Sequence, residues 1–164
     1  IPKWDSSLTK LFAELNADEA AMMVRLLSGH VELNTYYHKF NYDPTRDKSA
    51  ERHAGDPRPT DQCQHCDGSG PTPETLHHFL LVCPAHATAR QQMLRTLDNL
   101  HTLIRCRLAR NTTPNHLIFP HIHWPELSAI LHLKVWRVLL GYIKDTHRFA
   151  NIPGLNTNNL AIHS

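Results

Sequence analysis

Apolar residues recur along this chain at the three- and four-residue spacing of amphipathic helices. Leu8, Leu11, Phe12 and Leu15 make the first such stripe, behind a cap at Asp5 or Ser6. Asn16 then opens a capping box with Glu19, and Ala20, Met23, Val24 and Leu27 form one face before Gly29 stops the helix. A short third helix is expected over 33–40, with Leu33, Tyr36, Tyr37 and Phe40 turned inward. The next periodic stretch lies far along the chain. Thr72 and Pro73 can open a short helix, with Glu74 favouring its positive end and Leu76, Phe79 and Leu80 as core candidates. From about Pro84 to Leu103 or beyond, a longer helix buries Met93, Leu97, Leu100 and Ile104. A connection rich in Pro and His, NTTPNHLIFPHIHWP, leads to a last pair of helices. Pro125 and Glu126 open one, and Leu133, Trp136, Leu140 and Ile143 line the other. No alternating strand pattern and no internal repeat stand out, so the fold class expected is all-α.

Two segments break the pattern. Residues 42–62 contain three prolines and no large aliphatic residue, which reads as an exposed insert. The stretch 151–164, after the last helix, is Asn-rich and reads as a flexible tail. The organisation expected is therefore N-terminal helices (1–41), the insert (42–62), a metal knuckle (63–83) and C-terminal helices (84–150) that pack with 1–41 as one domain.

The knuckle is the most specific feature. Cys63-x2-Cys66, eleven residues, then His78-x4-Cys83 has the spacing of one tetrahedral zinc ion held by three thiolates and an imidazole. Asp67, Gly68, Ser69 and Gly70 supply the turn after the first pair. With four protein ligands the ion would be structural, with no open position for water or substrate. Disulfides are the competing reading, since four cysteines allow three pairings. The Cys-x2-Cys and His-x4-Cys spacings favour the metal and leave Cys106 as a free thiol.

Composition adds little beyond charge. The total of +2 divides into −4 over residues 1–74 and +6 over 75–164. A basic half suits a phosphate-binding surface and equally suits solvated helices. No apolar run approaches the length of a membrane span. The chain begins at Ile1 without an initiator Met, which reads as a fragment or a processed product, and no secretory signal stands in it. Catalysis is not expected. The C-terminal half has only Asp98, Glu126 and Asp145 as acids, and no phosphate-binding Gly-rich motif or G-x-S-x-G motif occurs. His121-x-His123 is at best a weak metal pair. Cys83–His86 and Cys106–His101 lack an orienting third group for nucleophilic chemistry.

Three phrases together carry a resemblance: RLLSGHVELNTYYHKFN at 25–41, CQHC with ETLHHFLLVCPAH, and GYIKDTHRF at 141–149. In this order they resemble the C-terminal region of fungal non-LTR (LINE-type) retrotransposon polyproteins, which follows the reverse transcriptase and RNase H domains. The likeness spans about residues 15–150. The proline-rich insert is a departure from the family's short spacer. By position the resemblance puts the zinc ligands on Cys63, Cys66, His78 and Cys83. His77 is then only the adjacent competitor, and His86 stands at an aromatic position. His30 matches the histidine of a "TGH" phrase and is read as a buried hydrogen-bonding residue. The resemblance further implies contact with template RNA or target DNA, beside the parent reverse transcriptase and RNase H domains. Arg90, Arg95, Arg105, Arg107, Arg110, Lys134 and Arg137 are the first candidates for phosphate contacts. His65 is a candidate to stack on unpaired bases, and Trp136 is more naturally core. The location implied is intracellular, nuclear or cytoplasmic, with no membrane partner. The alternative is a domesticated fragment that binds a host protein, as a secreted effector would.

Overall fold

The strongest C-terminal periodicity becomes one long helix, and the rest of the protein is arranged around it. In the computed structural model, residues 6–40, 59–66 and 71–162 are described. Most of the 42–62 insert, the Asp67–Gly70 turn, the cap at Asp5 and the last two residues lie outside them. The helices are α1 (Ser6–Ala13), α2 (Ala17–Ser28), α3 (Asn34–Phe40), α4 (Ala87–Leu100), α5 (Thr102–Arg110), α6 (Pro114–Ile118), α7 (Pro120–His123) and α8 (Ala129–Thr146). The protein is all-α: among the described residues, the extended pairing is an isolated antiparallel bridge between Gln62 and Pro73. No helix among those residues is long and apolar enough to cross a membrane.

Helix α8 starts behind Ser128, whose hydroxyl accepts from the Leu131 amide. It buries Leu133, Val135, Trp136, Leu139, Leu140, Tyr142 and Ile143, and packs most extensively on α4. Burying each such side chain contributes about 1.5–3 kcal/mol. Trp136 is fully enclosed, with its indole N–H donating to the Ile118 carbonyl at 3.0 Å and Phe12 edge-on at 5.5 Å. One core joins α1, α2, α4, α5, α6 and α8.

Several expectations needed correction. The capping box is present: Asn16 Oδ1 accepts from the Glu19 amide, and Glu19 Oε2 accepts from the Asn16 amide, each at 3.0 Å. Gly29, at φ +73°, closes α2 in the left-handed region that a Cβ disfavours. Yet the buried face is Glu19, Met22, Met23 and Leu26, and Val24 is 51% exposed. The rotation follows from the C-terminal segment, which is docked there and not frayed. Ala161 N–H donates to Glu19 Oε1, Asn16 Nδ2 to the Asn159 carbonyl, and Asn156 and Asn159 both donate to Asp18. Those two bonds hold the Asp18 carboxyl below its ordinary value. Leu155 and Leu160 fill the seam. Asn16→Ala is expected to cost about 1 kcal/mol for the cap and to speed hydrogen exchange at the Ala161 amide. A urea curve and an exchange rate both matching wild type would contradict this docking.

The long helix expected from Pro84 breaks twice. Pro84–His86 is a 3-10 turn, and His101 is extended, with its Nδ1 accepting from the Leu103 amide to cap α5. The apolar stripe through Leu97, Leu100 and Ile104 runs on across that break and hides it. The Pro- and His-containing connection is itself helical, with Pro114 and Pro120 at the first positions of α6 and α7. Pro125 and Glu126 open no helix and sit in an exposed turn. Helix α3 buries none of its residues, although Leu33 just before it is buried. His30 is likewise exposed, not a buried hydrogen-bonding residue.

Candidate metal centre

Cys63 and Cys66 stand on a knuckle that is pinned before the helix begins. Cys63 N–H donates to the Thr72 carbonyl and Glu74 N–H to the Asp61 carbonyl, each at 2.8 Å, on either side of the Gln62–Pro73 bridge. Thr72 and Pro73 therefore belong to the knuckle and do not open the helix. Thr75 caps it instead, its hydroxyl accepting from the His78 amide at 3.0 Å. From His78 to Val82 the helix is a π turn, and the Cys83 amide donates to the His78 carbonyl at 2.7 Å. In an α-helix, residues five apart point about 140° away from each other. The wider i→i+5 turn closes that angle and lets His78 and Cys83 face one point. Pro84 then ends the turn, so Cys83 sits at the helix junction, as its position beside a proline implies.

The four side chains converge. Cys63 Sγ is 3.8 Å from Cys83 Sγ, Cys66 Sγ is 4.0 Å from Cys83 Sγ, and Cys66 Sγ is 3.3 Å from His78 Nε2. All four donor atoms lie within 4.8 Å of one another. Tetrahedral ligation with metal–sulfur bonds of about 2.3 Å and a metal–nitrogen bond of about 2.0 Å requires S···S near 3.8 Å and S···N near 3.5 Å. The sulfurs are far beyond disulfide length, about 2.05 Å, and none of the four cysteines is in a disulfide. Cys63, Cys66, His78 and Cys83 are thus positioned to bind one metal ion. His77 is exposed and outside the group.

Without an ion, burial keeps two of the ligands uncharged. Burial pushes the Cys63 thiol up to about 12, although the His65 amide hydrogen bond opposes the shift. Burial also pushes His78 down, which keeps its imidazole neutral and able to coordinate. A metal displaces the thiol protons, so its affinity falls as pH falls. Around the ligands, Arg90 donates to the Cys83 carbonyl at 2.8 Å, and the Tyr142 hydroxyl donates to the Phe79 carbonyl. Burial holds that phenol protonated. His86 is buried, edge-on to Phe79 at 5.3 Å.

Glu74 escaped the sequence reading, which assigned it to a helix end. It is 1% exposed and forms a bidentate pair with Arg148, at 2.6 Å to Nε and 2.7 Å to Nη2. It also accepts from the Asn34 amide at 2.8 Å. One carboxylate therefore joins the metal-bearing segment to α3 and to the chain just beyond α8. Adjacency to the ETLHH phrase was the available signal, but the partner is 74 residues away.

The basic candidates divide. Arg90 is engaged at the metal centre, Arg107 donates to the His123 carbonyl at 2.7 Å, and Arg137 donates to the Glu14 carbonyl at 3.1 Å. Arg95, Arg105, Arg110 and Lys134 are exposed. On α5, Ile104 and Leu108 face the core, so Arg105 flanks one side while Arg107 and Arg110 lie toward the other. His65 is exposed and Trp136 is not available for stacking. His121 and His123 belong to no group of three or more potential ligands among the described residues, and His123 packs against His116, with ring centres 4.6 Å apart. Cys106 is exposed. No protein-family model, curated protein or solved structure matches the chain.

Proposed function

We propose that the chain is a non-catalytic, zinc-stabilised module that binds nucleic acid, an accessory domain of a retrotransposon-type reverse transcriptase as the sequence resemblance implies. The observation that carries this reading is the closed Cys3His set. Three thiolates and an imidazole suit zinc, and four protein ligands leave the ion a scaffold role. Arg95, Arg105, Arg110 and Lys134 supply exposed positive charge around that scaffold, and template RNA or target DNA is the partner, in the nucleus or cytoplasm.

The test is binding of the zinc-loaded chain to labelled single-stranded RNA and to duplex DNA across salt. If four cations meet duplex phosphates, affinity falls on the order of a hundredfold between about 50 and 200 mM salt. Absence of binding at low salt would sink the proposal. A second reading, a domesticated fragment that binds a host protein, draws on the division of the arginines between opposite flanks of α5 and their use in internal bonds. Capture of a protein partner that persists at high salt would favour it.

A further inference from the structure

Helix α3 carries an aromatic cluster that the core does not use. Tyr36 and Phe40 are 4.7 Å apart between ring centres, tilted by 50°. His30 stands edge-on to both, at 5.9 and 6.3 Å. Phe40 is 53% exposed. These rings line an open groove of about 380 Å³ between the end of α2, α3 and Leu76. Tilted and edge-on rings leave faces open that a parallel stack would cover.

Charge narrows the occupant. Lys39 and His30 line the groove, and no carboxylate does so among the described residues. Glu32, close by in the chain, is paired with Arg25 at 2.9 Å. The Lys39 ammonium lies 5.4 Å from the Phe40 ring centre, which disfavours a quaternary ammonium or methylated lysine ligand. Flat rings beside a cation, with no acid, suit a polyanion that has exposed planar groups. A duplex keeps its base faces stacked on each other, whereas a single strand offers them.

We infer that the groove formed by His30, Tyr36, Lys39 and Phe40 seats unpaired bases of a single-stranded nucleic acid, with Lys39 beside the backbone phosphate. This rests on the nucleic-acid reading above and specifies the surface and the strandedness. The segment that bears the metal ligands positions the groove's helix. Asn34 N–H and the Thr35 hydroxyl bond to Glu74, each at 2.8 Å, and His38 Nδ1 lies 2.7 Å from the Pro59 carbonyl. Helix α3 is thus hung on the metal-bearing segment by polar bonds, with Phe40 exposed and Tyr36 half-buried beside it.

The experiment measures fluorescence anisotropy of labelled oligouridylate and of a duplex DNA with the zinc-loaded chain, comparing wild type, Phe40→Ala, Phe40→Trp and Arg105→Ala/Arg110→Ala. Phe40→Ala is expected to weaken oligouridylate binding about tenfold and to leave duplex binding unchanged, while Phe40→Trp retains both. The double arginine variant is expected to weaken both probes. Circular dichroism melting confirms that each variant folds. Wild-type affinity of Phe40→Ala for oligouridylate overturns the groove assignment and leaves the nucleic-acid reading standing, as does binding confined to the duplex. No binding of either probe by wild type at low salt overturns both.

Discussion

Cys83→Ala, or treatment with a strong chelator, is expected to abolish binding of one equivalent of zinc and to unfold the Cys63–Cys66 turn. Cys83 lies within 4.0 Å of both other thiols, and it is 1% exposed at the junction of the π turn and the 3-10 turn. Structural zinc in small sites contributes an apparent binding free energy of about 10–16 kcal/mol at pH 7. A whole domain has a net stability of only about 5–15 kcal/mol. Without the ion, Glu74, Phe79 and Leu80 still anchor the segment to α3, Arg148 and the core, but the Cys63–Cys66 turn keeps only the Gln62–Pro73 bridge, the Asn34 bond to the Gln62 carbonyl and contacts among the ligands themselves. Helices α4 to α8 share the larger core and are expected to stay helical, so the loss is local. Elemental analysis, melting with and without chelator, and hydrogen exchange at the knuckle amides read the result. An unchanged melting temperature in chelator, with no metal in the purified protein, would remove the metal centre as the basis of this fold.

Glu74→Gln is expected to destabilise the protein by about 3–5 kcal/mol, because it leaves the Arg148 guanidinium in a buried place without its counter-charge. Arg148 is 16% exposed at its side chain and Glu74 is 1% exposed. Burial alone would lower the Arg148 pKa, but the Glu74 bonds and charge more than offset it, and the net shift is upward. Replacing both residues, Glu74→Leu with Arg148→Met, is expected to cost less than Glu74→Gln alone, since no charge is then left unpaired. Zinc stoichiometry should stay at one in every variant, because Glu74 is not a ligand. Urea denaturation supplies the energies. A Glu74→Gln variant within 1 kcal/mol of wild type would mean that the pair does not pin the metal segment to the chain just beyond α8.

What could be read from the chain was local. Asn16 and Glu19 are three residues apart, and their reciprocal hydrogen bonds need nothing outside one turn. The same holds for the Gly29 stop. The metal ligands were legible because Cys-x2-Cys and His-x4-Cys each fit within a short turn, and few other uses of those residues demand that spacing. Even there, the π turn that lets His78 and Cys83 converge has no signature in the apolar periodicity.

Facing was harder. Tyr36 and Phe40 have helical core spacing, yet α3 leaves them in a solvent-facing groove, because polar bonds to Glu74, Gln62 and Pro59 set its position. The break at His101 was masked by an apolar stripe that continues across it, although His101 followed by Thr102 was a possible cap signal.

The sequence by itself determined the all-α class, the caps of α2 and the four candidate ligands, since each depends on interactions within a few residues. Only the tertiary structure decided which face of α2 is buried, that the C-terminal segment docks on Asp18 and Glu19, and that Glu74 meets Arg148. Those outcomes rest on pairing between distant segments. Their free energy exists only once both partners share one place, and no local window of the chain contains both.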